Sequence, residues 1–200
     1  MQRIFQYVFV ACVALATIVR CYYTWGYRRS EWEPAPRAGL TPVEGVLMGL
    51  WGICQICAFV YIFSPWLSFA DYSLPTWTGW PGTVAFAAAV LLLWRSHADL
   101  GPHWSPRVQV RQDHELVTTG IYTHIRHPMY AAHLLWAVAQ PLLLHNWLAG
   151  PGALVFFVPF LLIRISREER TMLDAFGQEY RAYVNRTGRL IPPLQGRQEP

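Results

Sequence analysis

Apolar residues are gathered into long blocks along the chain, and short polar segments rich in Arg, Pro and Gly separate them. A helix that crosses a bilayer needs ~20 mostly apolar residues. The first such block runs from Ile4 to Tyr22 and ends in R-C-Y-Y-T-W-G-Y-R-R, an arginine and aromatic boundary rather than a cleavage site, so it reads as a retained helix. The second runs from Val43 to Phe63, with Thr41 as N-cap, Pro42 at the first helical position and Ser64-Pro65 as the stop. The third runs from Trp80 to Trp94 and can extend to Leu100. A fourth and fifth come from Met129 to Ile165, divided at H-N-W-L-A-G-P-G, whose Asn, Gly and Pro are turn formers. The pattern predicts five membrane helices, the last two forming a tight hairpin; four is the alternative count.

From Arg167 to Arg186 the period changes. Met172, Leu173, Phe176, Tyr180, Tyr183 and Val184 recur at three- and four-residue spacing, with Arg and Glu opposite. This predicts an amphipathic C-terminal helix, lying on the bilayer surface or capping a site. The fold class expected is therefore all-α: a polytopic membrane protein of one domain, residues 1–200.

Composition supports this class. Hydrophobic residues make up 54% of the chain and charged residues 14%, against roughly 25% in soluble domains. All 16 basic residues are Arg, so no Lys can act as a base or form a Schiff base. Arg20, Arg28, Arg29 and Arg37 fall between the first two helices, Arg95, Arg107, Arg111 and Arg126 between the third and fourth, and seven more lie from Arg164 onward. The segment from Ser64 to Gly79 and the turn at 145–150 have none. By the positive-inside rule this places the N-terminus outside and the Arg-rich segments in the cytoplasm.

Two of those segments carry candidate chemistry. In H-E-L-V-T-T-G-I-Y-T-H-I-R-H-P-M-Y, from His114 to Tyr130, the L-V-T-T-G-I-Y stretch reads as extended, turning at Gly120, with exposed backbone suited to the edge of a heterocycle. Pro128 sets Arg126, His127 and Tyr130 at a helix N-terminus, which suits a carboxylate. In R-I-S-R-E-E-R, Arg164 and Glu168 are four apart and share a helix face where an apolar helix leaves the membrane. Each segment alone also fits a plain reading: a boundary Arg and a capping His in the first, a snorkelling Arg with an ion pair in the second. Cys54 and Cys57 form C-x-x-C inside an apolar run and read as helix packing, with neither a metal nor a disulfide expected. Phosphate-loop, dinucleotide, zinc-protease and nucleophile-elbow motifs are missing, as is any basic stripe suited to nucleic acid.

Taken together, H-x-L-V-T-x-G-x-Y-x-x-x-R-H-P-x-Y, R-x-x-x-E-E, F-G-x-E-Y-x-x-Y and R-L-x-P resemble the isoprenylcysteine carboxyl methyltransferase family, within the phospholipid methyltransferase superfamily, over residues 100–193. The chain looks most like its short prokaryotic members, which implies a bacterial or archaeal cell membrane. The resemblance implies S-adenosyl-L-methionine as cofactor, held by Gln109, His114, Glu115, Leu116, Val117, Gly120, Tyr122, His127, Pro128, Met129, Tyr130 and Glu168. It implies that Arg164, with Arg126, handles the carboxylate of a lipophilic or lipidated substrate arriving from the membrane lipids. The alternatives are an amine, phospholipid or thiol acceptor, a nicotinamide-dependent reductase like the sterol reductases, or a non-enzymatic carrier.

Overall fold

The computed structural model describes residues 2–29, 39–101 and 116–193. The described residues form five α-helices: α1 (Gln2–Arg29), α2 (Pro42–Phe63), α3 (Gly79–Leu100), α4 (Pro128–Leu143) and α5 (Gly152–Arg186). The start of α2 follows the sequence closely. Thr41 caps it, Pro42 occupies its first turn, and Glu44 closes a reciprocal capping box by accepting from the Thr41 amide at 2.7 Å. Three helical stretches are long and apolar enough to cross a membrane, Gln2–Gly26, Pro42–Phe63 and Thr76–Leu100.

The interior lies between α1, α3 and α4, where Phe5, Phe9, Phe86, Leu143 and Leu144 are buried together. Alanines at 58, 89 and 139 sit in the same cluster and let the backbones approach, the usual means by which helices pack in lipid. A second cluster joins α4 to α5 through Ala137, Phe157, Phe160, Leu161 and Ile165. Cys54 packs as expected, buried against the start of α5 at Gly152, while Cys57 is half-buried.

The two ends of the bundle differ. At one end the loops at 64–78 and 144–151 are stitched together: Asn146 donates to the Leu67 carbonyl at 2.6 Å and to Asp71 at 2.8 Å, and the Tyr72 hydroxyl donates to the Pro141 carbonyl at 2.6 Å. His145 lies here, far from the chemistry, as its position in the sequence suggested. At the other end the Arg-rich segments converge.

The C-terminal region departs from the expected separate amphipathic helix. α5 continues without a break past Ile165, because S-R-E-E-R-T-M-L-D-A contains no breaker. The interruption comes at Gly177, with φ 51° and ψ −116°, a conformation that costs Gly little and other residues more. Beyond it the last turns carry Tyr180 and Tyr183 into the protein, where both are buried.

Candidate functional site

The site is assembled at the Arg-rich end from three pieces: the turn before α4, the first turns of α4 and the middle of α5. A single 3-10 turn, Gly120–Thr123, follows the 116–119 stretch. Gly120 has φ 61° and lies so close to the Asp99 carboxylate that a side chain there would collide with it. Asp99 fixes the turn by accepting from the Ile121 amide at 2.7 Å, and is itself paired with Arg95 at 2.9 Å. Tyr122 points back into the fold: its hydroxyl donates to the Ser96 carbonyl at 3.3 Å, and its own carbonyl accepts from the Tyr183 hydroxyl at 2.7 Å.

Residues 124–127 then pair with 187–189 like a short fragment of parallel sheet. The Arg126 and His127 amides donate to the Gly188 and Arg189 carbonyls at 2.8 and 3.0 Å, and the Gly188 amide returns to His124 at 3.0 Å. Arg126 tightens this junction. Its guanidinium donates to the Val184 carbonyl at 3.1 Å, to the Thr187 carbonyl and to Glu169 at 3.2 Å. These bonds take up its donors and make Arg126 a clamp between the α4 entry and the end of α5.

His127, Tyr130, Glu168 and Glu169 are brought side by side. The Tyr130 hydroxyl donates to Glu168 Oε2 at 2.7 Å. His127 Nε2 lies 3.3 Å from Glu169 Oε1, and its Nδ1 is 3.9 Å from Glu168 Oε1. Burial pushes the Glu169 carboxyl up, but hydrogen bonds and charge from His127 and Arg189 outweigh this and hold it at about 2. Glu169 is thus an acceptor only, so His127 Nε2 is the donor in this contact. An acid this strong, with its oxygens engaged, is a poor general base. Glu168 keeps Oε1 for another donor.

Beyond Tyr130 opens a cavity of about 630 Å³, walled mainly by Ala16, Met48, Trp51, Trp136, Phe157 and Phe160. Size and apolar lining suit a small-molecule or lipid-chain site. Arg164 lines it, 7% exposed, and its NH1 has no hydrogen-bond partner among the described residues. Its counter-ion is Glu44 of α2, fully buried, with Oε1 3.8 Å from NH1. Arg167 also reaches Glu44, at 2.5 Å, and the Gly39 carbonyl at 2.7 Å.

Of the expected residues, Arg164 and Tyr130 line the cavity, Glu168 adjoins it through its bond to Tyr130, and His127 lies beside Glu168, with Pro128 and Met129 forming the first turn of α4. Leu116 and Val117 are half-buried on the approach. Tyr122 and Arg126 support the site from behind. Gln109, His114 and Glu115 lie outside the described residues. Sequence reasoning missed Glu44, Asp99 and the two cavity tryptophans. Glu44 had a signal, a lone acid three residues after Thr41 at the head of an apolar run.

The described residues thus form a helical membrane protein in which a buried cation, Arg164, lines an apolar cavity. Residues 82–174, just under half of the chain, match the model of the isoprenylcysteine carboxyl methyltransferase (ICMT) family, which bears out the resemblance carried by the motifs. Among relatives, protein-S-isoprenylcysteine O-methyltransferase of Tribolium castaneum is 37% identical over 84 residues, covering 42% of this chain and 30% of that protein. The Saccharomyces cerevisiae enzyme of the same name is 38% identical over 90 residues, 43% of this chain and 36% of that protein. The Dictyostelium discoideum one is 29% identical over 142 residues, 70% of this chain and 59% of that protein. The solved structure of the eukaryotic intramembrane Ras methyltransferase ICMT, without a monobody, superposes with a TM-score of 0.55 at 26% identity, covering 80% of this chain and 56% of that one. The matched stretches thus span about a third of the first two relatives' length and somewhat more than half of the third's.

Proposed function

We propose that this chain is an integral-membrane methyltransferase of the protein-S-isoprenylcysteine O-methyltransferase type, using S-adenosyl-L-methionine to esterify the carboxylate of a lipophilic or lipidated substrate. The observation that carries this reading is Arg164: a buried cation lining an apolar cavity beside Tyr130, which in turn bonds Glu168. An amphiphile with a carboxylate head and a hydrocarbon tail matches both parts of that cavity. A cationic amine would be repelled by Arg164, which weighs against the amine alternative.

The residues present fit the cofactor. Glu168 has an oxygen left for an ammonium, and the first turn of α4 directs backbone N–H groups that suit a carboxylate. Leu116 and Val117 would present backbone to adenine, with His114, Glu115 and Gln109 completing the pocket. Bound there, the cofactor supplies an electrophilic methyl group. The protein's own contribution is alignment and exclusion of water. Arg164 orients the substrate carboxylate through a two-pronged contact, and the acid, ionised near neutral pH, needs no general base. Holding nucleophile and electrophile in line accounts for much of the rate. The further parts of the proposal are five membrane spans in one domain of 1–200, α4 and the apolar half of α5 crossing as a hairpin, and a site facing the cytoplasm of a prokaryotic cell.

The test is methyl transfer from labelled S-adenosyl-L-methionine to an S-isoprenylated N-acetylcysteine and to a membrane-lipid extract. The proposal expects product label that mild base releases as methanol, the mark of a methyl ester. Label that resists base would place the methyl on nitrogen or sulfur and refute carboxyl transfer.

A further inference from the structure

Glu44 has no assigned part in the reaction, yet its surroundings are unusual. It is fully buried on α2, and Oε2 is saturated, accepting from the Thr41 amide at 2.7 Å and from Arg167 at 2.5 Å. Oε1 has no hydrogen bond, and it faces Arg164 NH1, which has none either. The two are 3.8 Å apart, within Coulomb range but too far to bond. Both groups are removed from water, where an unpaired polar atom is costly. Arg167, the Thr41 cap and the packing of α2 on α5 hold Glu44 in place, so it cannot advance to close the gap. Arg164 lines the cavity and Glu44 stands behind it.

We infer that Glu44 is a positioning residue that keeps Arg164 charge-compensated but not hydrogen-bonded, so that Arg164 takes an acid from the cavity and lets its ester go. This rests on the proposed role of Arg164. A full Glu44–Arg164 salt bridge would spend the guanidinium and compete with the substrate. Without Glu44, an uncompensated cation in an apolar cavity would hold any carboxylate too tightly. At 3.8 Å the balance lies between. An incoming carboxylate meets the Arg164 guanidinium from the cavity side, against partial neutralisation by Glu44 from behind. Once esterified, the ligand is neutral, and Arg164 loses its attraction to it while keeping Glu44. Release of the product is then assisted by a charge already in the protein.

The experiment is direct binding to the full chain in detergent or nanodiscs, read from quenching of cavity tryptophans Trp51 and Trp136. The probes are an S-isoprenylated N-acetylcysteine and its methyl ester. Glu44→Gln retains the capping box, because Gln serves at that position as well as Glu, and removes only the charge. The acid should bind Glu44→Gln roughly three- to tenfold more tightly, the ester should change little, and S-adenosyl-L-methionine affinity should stay the same. Turnover should fall as release slows. An unchanged or reduced preference for the acid in Glu44→Gln overturns the inference. If that variant gives no folded protein, Glu44→Asp replaces it: the charge retreats from Arg164, and the same shift of smaller size is expected, its absence again overturning the inference. Binding is read without methyl transfer, so the two ideas fail separately. Acid bound by the wild type but never methylated refutes the proposed activity and leaves this inference standing.

Discussion

Glu168 and Glu169 are neighbours in sequence and belong to different parts of the molecule. Glu169 gathers Arg126, His127 and Arg189 and closes the end of α5 onto the entry to α4. Glu168, one helical step round, accepts from Tyr130, which lines the cavity. Helix geometry made this division legible in advance, since Arg164 and Glu168 share a face and Glu169 does not. The prediction at this scale is that Glu168→Gln keeps the shape of the site and loses the charge that would pair with the cofactor's ammonium. A charge-assisted hydrogen bond is worth ~1.5–3 kcal/mol, so affinity for S-adenosyl-L-methionine should fall about tenfold or more, measured by calorimetry. An unchanged affinity would move Glu168 out of contact with the cofactor. What no local pattern disclosed was the pairing of Glu44 with Arg167, which is 123 residues away and meets it only once α2 lies along α5.

At the scale of elements, the apolar blocks located all five helices, and the Thr41 cap and the Ser64-Pro65 stop set the ends of α2 within a residue. Arrangement after Ile165 was not legible in the same way. Amphipathic spacing from 167 to 186 marks an inward stripe whether the helix is separate or continuous, and only the backbone at Gly177 decides where it turns. The R-L-x-P ending was recognisable as a motif but not as a structure. Its function is visible in the pairing of 187–189 with 124–127, which no hydropathy pattern reports. Gly188 is the tight point of the turn that follows that pairing, since any β-carbon would strike the backbone carbonyl of Ile191, three residues on. Gly188→Ala should therefore force this turn open and disturb the pairing beside it. Overpacking of this kind costs ~1–3 kcal/mol, so the melting temperature should drop by several degrees, with cofactor affinity falling in parallel as His127 loses its backbone support. A wild-type melting temperature and affinity would show that the junction is dispensable.

For the whole molecule, the two ends of the bundle divide structure from chemistry. One end is closed by Asn146, Asp71 and Tyr72; the other holds Tyr130, Arg164 and Glu168. The alternation of Arg between loops predicts that these ends face opposite sides of the membrane. Reporter fusions after Leu74 and after Gly196 should then report opposite compartments. A shared compartment would remove one span and turn the site away from the cytoplasm.

The central claim is that Arg164 orients a substrate carboxylate, and one comparison tests it most directly: methyl transfer to an S-isoprenylated N-acetylcysteine by wild type and by Arg164→Lys, with S-adenosyl-L-methionine binding measured on the same preparations. Lysine keeps the charge and the reach of the side chain but cannot form the two-pronged contact. Cofactor binding should be nearly unchanged, and turnover should fall on the order of a hundredfold, the scale of loss that small misplacement causes. Full turnover in Arg164→Lys would contradict the account, leaving Arg164 a boundary residue at the end of an apolar helix.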